Sequence, residues 1–187
     1  MRLDKARIAP LQDDEFSEEQ QEALKPLANW GPVLNIFRTL VRAPRAFRRF
    51  NFWGGYVLSD RNDLSARDRE LIILRVGYLC SSGYEWAQHE VIGKDCGLTD
   101  VEIQRIKEGP SSPLWNDLDR AYLQAADELV RDHFISNETW AALSTLTDKQ
   151  KMDVVFTVGQ YTQVSMILNS FGVQLDDGLK LDPDLKR

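Results

Sequence analysis

Three short stretches mark helix starts in the same chemical terms: Ser17-Glu-Glu-Gln20, Thr99-Asp-Val-Glu102 and Thr147-Asp-Lys-Gln150. In each, the hydroxyl can accept from the backbone N–H three residues on, and the later side chain can reach back to the first residue's N–H. Two donors that a helix start leaves orphaned are thereby satisfied. Ser65-Ala-Arg-Asp68 repeats the pattern with aspartate in the last place. Strand signals are scarce: period-two alternation is not sustained, and no Asn-Gly or Asp-Gly turn separates two β-branched runs. The chain is therefore expected to be all-α. Pro44 suits a first helical position, and Gly97 and Gly172 suit positions just past helix ends. Helices are expected near 17–29, 33–43, 44–60, 65–81, 83–96, 99–108, 116–133, 137–146 and 148–171.

The segment GPSSP at 109–113 divides the chain 1–187 into two helical halves of a single domain. Residues 1–16 and 173–187 are expected to be surface arms, loose in a monomer and wrapped around a neighbour in an oligomer. LIILRVGYLC at 71–80 is echoed by DVVFTVGQYT at 153–162, with Val-Gly in register and a further apolar helical stretch after each. Two helical hairpins packed around these segments is the expected architecture.

With 187 residues, 43% of them hydrophobic, and five tryptophans and eight phenylalanines, the chain can fill a substantial core. Its net charge of −6 argues against general affinity for nucleic acid or anionic membranes, both of which reward basic surfaces. No apolar run is long enough to span a bilayer, and MRLDKARIAPLQDDEF lacks the apolar stretch of a secretory signal. Cys80 and Cys96 do not make a disulfide framework, and free thiols fit a reducing cytoplasm. With two histidines and two scattered cysteines no zinc site is expected, and there is no phosphate loop, dinucleotide fingerprint or serine elbow. Neither a metal nor an organic cofactor is expected.

Chemistry concentrates in CSSGYEWAQH at 80–89. Glu85 and His89 stand four apart and share one helix face. Glu70 lies on the preceding helix, and a tight antiparallel hairpin through Ser81–Gly83 can return it to the same place. Two carboxylates beside an imidazole would move protons, because a held carboxylate fixes the tautomer and raises the basicity of histidine. The alternative is a solvated helix face, yet Tyr84, Trp86, Val91 and Ile92 make this helix partly buried, and a buried carboxylate demands a partner.

The run LSARDRELIILRVGYLCSSGYEWAQHEVIGKDCGLTDVEI resembles the carboxymuconolactone decarboxylase family, which includes the alkylhydroperoxidase D proteins. The likeness is good over residues 35 to 108 and looser through FTVGQYTQVSMILNSFGV. In the peroxidase branch the resemblance implies a glutamate, then Cys-x-x-Cys, then a histidine four residues on. These positions fall on Glu70, on Ser82 and Glu85, and on His89. The proton-relay members are present and the redox pair is replaced, so cysteine-pair peroxide turnover is not expected; Cys80 is expected to point elsewhere on its helix. The decarboxylase branch implies a cofactor-free lyase for a small acidic lactone or related enolisable carboxylic acid in aromatic-compound catabolism. His89 is expected to carry the proton, Glu85 to orient it or act as the acid, and Glu70 to complete the relay. Ser82, Tyr84 and Trp86 are the expected substrate-binding side chains. The resemblance also implies a homo-oligomer, a trimer or hexamer. A peroxide-defence protein and a non-catalytic oligomeric member of the family are the alternatives.

An anionic substrate would want a cation, and Arg75 on the Glu70 helix, with Arg38, Arg42, Arg45, Arg48 and Arg49, are the candidates. Solvated or ion-paired arginines are the competing expectation. Tyr161 and Gln163 are placed to face the site from the second half. Gly54 and Gly55 invite close helix packing or line a pocket floor, and His133 sits where a helix dipole favours it.

Overall fold

The computed structural model describes residues 1–28 and 31–186. Among them the chain forms nine α-helices and no strand. These are α1 (Glu18–Leu24), α2 (Asn35–Leu40), α3 (Pro44–Leu58), α4 (Ala66–Leu79), α5 (Gly83–Asp95), α6 (Asp100–Glu108), α7 (Asp117–Asp132), α8 (Asn137–Ala142) and α9 (Asp148–Phe171). Single 3-10 turns occupy Asp13–Glu15, Lys25–Leu27 and Pro183–Leu185.

The three capping boxes close reciprocally at Ser17, Thr99 and Thr147. Ser65 accepts from the Asp68 N–H, but Asp68 turns its carboxylate to Arg67 rather than back to the cap. Three helices are shorter than the sequence suggests. Pro26 lacks an N–H, and α1 gives way to the 3-10 turn there; position 29 lies outside the described residues. Ala43 precedes Pro44, is pushed to φ −118 and ψ 75, and separates α2 from α3. After α8 the chain turns so that Leu143 and Leu146 both enter the core.

Helix α4 lies at the centre. Leu71, Ile72, Ile73, Leu74 and Val76 each have no exposed surface, because α5, α7 and α9 cover the helix on all sides. A helix apolar all round is a core helix. The two halves therefore meet through α4 against α7 and α9. The second half does not form a second hairpin, however. Between α4 and α5 the chain breaks at Ser81, with φ 53, and Gly83 follows; no such breaker interrupts α9, which runs on for 24 residues.

The 109–113 segment is pinned to the core. Gly109 caps α6 at φ 81 and ψ −155, a conformation essentially reserved for glycine, and its absent side chain leaves room for the Arg75 guanidinium. Trp115 Nε1 donates to the Gly109 carbonyl at 3.0 Å, and Arg120 holds the carbonyls of Pro110 and Ser112.

The arms are neither loose nor extended towards a neighbour; they wrap their own chain. Leu11 is buried with Val41 and Phe47, and the Arg7 N–H donates to the Phe171 carbonyl at 2.8 Å. Leu185 is buried, the Met1 amine meets its carbonyl, and Lys107 pairs with Asp182 and Asp184. Apolar residues at regular intervals in both arms give them enough buried surface to dock. Gly54 packs against Gln160 of α9, whereas Gly55 faces open space.

Candidate active site

The α4–α5 hairpin is tight because two glycines allow it. A Cβ on Gly77 would come within 3.1 Å of Glu85 Oε1, and one on Gly93 would meet Leu98 and Leu74 at 3.1 and 3.3 Å. The close approach brings Glu70 of α4 against His89 of α5, with Oε2 2.7 Å from Nδ1. Glu70 and Glu85 are each 2% exposed and His89 8%, so the group is nearly dry.

Helix α9 supplies the opposing wall, and its register matches that of α5. Tyr161 and Ser165, four apart, face His89 and Glu85, four apart, in antiparallel order. The Tyr161 and His89 rings meet edge to face, with centroids 4.8 Å apart. Ser165 Oγ lies 3.0 Å from Glu85 Oε2, and Glu85 Oε1 has no hydrogen-bond partner among the described residues.

The two carboxyls consequently have different surroundings. Glu70 has an imidazole as partner. Glu85 has one hydroxyl; burial drives its carboxyl well above the usual range, Ser165 opposes that in part, and the neighbouring Glu70 adds to the rise. Like charges in one dry site resist joint ionisation, which together with burial favours the protonated form of Glu85. A Glu70 carboxylate accepting from His89 favours the tautomer with the proton on Nδ1, which leaves Nε2 with the lone pair. Burial first, then Glu70 and Glu85, keep the Tyr161 phenol protonated. The arrangement offers a base nitrogen, a carboxylic acid and a neutral phenol together.

The structure brings Glu70, Glu85 and His89 together as expected, but Glu70 rather than Glu85 orients the imidazole. Ser82 is fully buried at the start of α5, and its Oγ has no hydrogen-bond partner among the described residues. Tyr84 and Trp86 are not brought to the cluster, since one residue either side of Glu85 turns about 100° around a helix. The Tyr84 hydroxyl donates to Asp176 of the tail and accepts from Gln88, while Trp86 packs on Tyr78 beneath the Lys107 ammonium. Gln163 is exposed and only Tyr161 faces the site. Cys80 also departs from expectation: it lies near Glu85, and burial, then Glu85, push its thiol up. Burial and then Glu70 do the same to Cys96.

Arg75 is no receptor for a substrate carboxylate. It is buried, forks onto Asp127 at 2.5 and 2.8 Å, and spends Nη1 on the Ile106 and Lys107 carbonyls. Arg38 holds Leu11, Val33 and Asp13, Arg42 holds Ala9, Arg45 and Arg48 lie near Glu19, and Arg49 is exposed. His133 caps α7 at φ 59, its Nδ1 donating to the Leu129 carbonyl at 3.2 Å. No cluster of three metal-ligating side chains occurs among the described residues. Ser165 escaped the sequence reading; its one signal is the four-residue spacing from Tyr161.

Fold and site together define a helical protein with a buried carboxyl–imidazole cluster at a tight hairpin. Residues 44–128 match the model of the carboxymuconolactone decarboxylase family, and the fold is AhpD-like and helical. A peroxidase-related protein of Ralstonia eutropha with an alkylhydroperoxidase AhpD core superposes with a TM-score of 0.77 at 20% identity, covering 92% of this chain and 93% of that one. A peroxidase-related protein of Silicibacter sp. gives 0.73 at 16% identity over 94% and 92%. The debrominase Bmp8, in complex with 2,3,4-tribromopyrrole, gives 0.73 at 13% identity over 93% and 94%. At these identities the likeness establishes shared fold. No curated protein sequence matches the chain.

Proposed function

We propose that the chain is a cofactor-free lyase performing decarboxylase-type proton transfer on a small acidic lactone or related enolisable carboxylic acid from aromatic-compound breakdown. The observation that carries this reading is the division of roles between the two buried glutamates. Glu70 holds His89 Nδ1 at 2.7 Å and leaves Nε2 as the proton carrier, while Glu85 stays a neutral acid. Loss of carbon dioxide leaves an enolate, which needs charge stabilisation and a proton at carbon. A protonated carboxyl and an imidazole in a dry site supply both. The same equipment suits enolisation or isomerisation of related carbonyl compounds.

Ultraviolet absorbance and carbon dioxide release from 4-carboxymuconolactone test the reading. Turnover by the wild type that is lost in His89→Ala, with the helical fold retained, is the expected result. No turnover by either protein removes this substrate.

A second reading, peroxide defence, draws on Cys80, which lies near Glu85. Its test is peroxide consumption that disappears in Cys80→Ser. We also propose a cytoplasmic homo-oligomer, a trimer or hexamer. The support is an exposed apolar surface on α3 and α9 that includes Phe52, Trp53, Met152, Val155 and Met166, and light scattering of the purified protein decides it.

A further inference from the structure

Ser165 is 1% exposed, and the only hydrogen bond that either Glu85 carboxyl oxygen makes among the described residues is to its hydroxyl. We propose that Ser165 is a positioning residue for the site's acid: it donates to Glu85 Oε2 and so leaves the carboxylic proton on Oε1, which has no hydrogen-bond partner among the described residues. A neutral carboxyl has one donor oxygen and one acceptor oxygen, and a hydroxyl donor pairs with the acceptor.

The surroundings of Ser165 support that direction. Glu85 has no other hydrogen-bond partner among the described residues, so the Ser165 hydroxyl is the group there that can pair with its acceptor oxygen. The other titratable groups facing Glu85 are Glu70 and Cys80 from the α4 side, His89 on α5 and Tyr161 on α9; Arg2 of the N-terminal arm reaches only the Cys80 carbonyl. None of them hydrogen-bonds Oε1. Oε1 packs against Gly77, and the oxygen that carries the proton is fixed from α9, eighty positions away. The catalytic meaning of this arrangement rests on the proton-transfer reading above, but its test needs no turnover.

The test uses protein labelled with carbon-13 at the glutamate carboxyls, followed by NMR and infrared spectroscopy across pH, with the Glu85 signal identified as the one missing in Glu85→Gln. In the wild type Glu85 titrates above the other glutamates. In Ser165→Ala its midpoint moves up by about one unit, because the ionised form loses its only donor. The C=O stretch of the neutral acid also moves to higher frequency there, because the acceptor oxygen is released. Ser165→Thr, which keeps the hydroxyl, restores both. Ser165→Cys, a near-isosteric weak donor, gives intermediate values and serves if the alanine variant does not fold. A midpoint and a stretch that ignore Ser165, or that move downward in Ser165→Ala and Ser165→Cys, overturn the proposal. If both respond as expected while 4-carboxymuconolactone survives every variant, the lyase reading fails and the positioning role stands.

Discussion

Glu70 Oε2 lies 2.7 Å from His89 Nδ1, reaching the imidazole from the neighbouring helix of the hairpin, while Glu85 on the same helix as His89 is turned to Ser165 instead. The imidazole and Ser165 thus engage different carboxyl groups. The consequence is a graded loss on mutation. Removing a general acid–base group lowers a rate by about 10²–10⁴-fold, and His89→Ala should do so for proton transfer measured on 4-carboxymuconolactone. Glu70→Gln keeps the shape but lets the imidazole take either tautomer, and should lose less than His89→Ala. Equal losses in the two variants, with unchanged circular dichroism, would show that Glu70 acts as more than an orienting group.

Glu85 makes stability depend on pH. Its carboxyl is raised in the folded state above the ordinary 4.5, so the unfolded chain releases this proton first. The contribution of the neutral acid is complete below that value and declines as pH rises towards the folded-state pKa. Glu85→Gln removes the titration. Urea unfolding should therefore show the variant gaining on the wild type by about 1.4 kcal/mol per pH unit above pH 4.5. A difference that is flat with pH would contradict a neutral, buried Glu85.

The Arg75–Asp127 fork and Gly109 form one structural unit. Asp127→Ala strands a buried guanidinium and should cost about 3–5 kcal/mol. Gly109→Ala forces a side chain into a backbone region that only glycine adopts readily and against Arg75, and should cost about 2 kcal/mol or more. Chemical denaturation measures both, and a Gly109→Ala variant of wild-type stability would show that the 109–113 segment is not held as described.

Both thiols should be sluggish. Burial and a nearby carboxyl raise Cys80 and Cys96 alike, so the thiolate fraction near neutral pH is small. Alkylation by iodoacetamide at pH 8 should be slower at each than for a free cysteine peptide. A fast-reacting Cys80 would instead favour the peroxide reading.

Much of the fold was legible because helix starts are local chemistry. Ser17, Thr99 and Thr147 cap within three residues of themselves, and the breaks at Pro44 and Ser81–Gly83 act through one or two backbone angles. Glu70, Glu85 and His89 were readable for a related reason: two lie on one helix face, and a tight hairpin returns the third. Where the sequence reading failed, the deciding contact was distant. Helix geometry alone points Cys80 away from the site, yet its thiol lies near Glu85, and Asn169 of α9 holds its carbonyl. Arg75 reads as a cation beside the site until Asp127, from the second half, occupies it. Tyr84 and Trp86 read as lining residues until the tail's Asp176 and Lys107 of α6 engage the far sides of α5.

By itself, then, the sequence determined the helices, their order and the face that carries Glu85 and His89, since capping, periodicity and turn chemistry operate over a few residues. The tertiary structure alone decided which carboxyl holds the imidazole and which stays neutral. It also decided that the arms wrap their own core and that Ser165 belongs to the site. These outcomes depend on burial and on which groups meet across helices, and a carboxyl's protonation follows the low-dielectric surroundings that distant segments assemble around it.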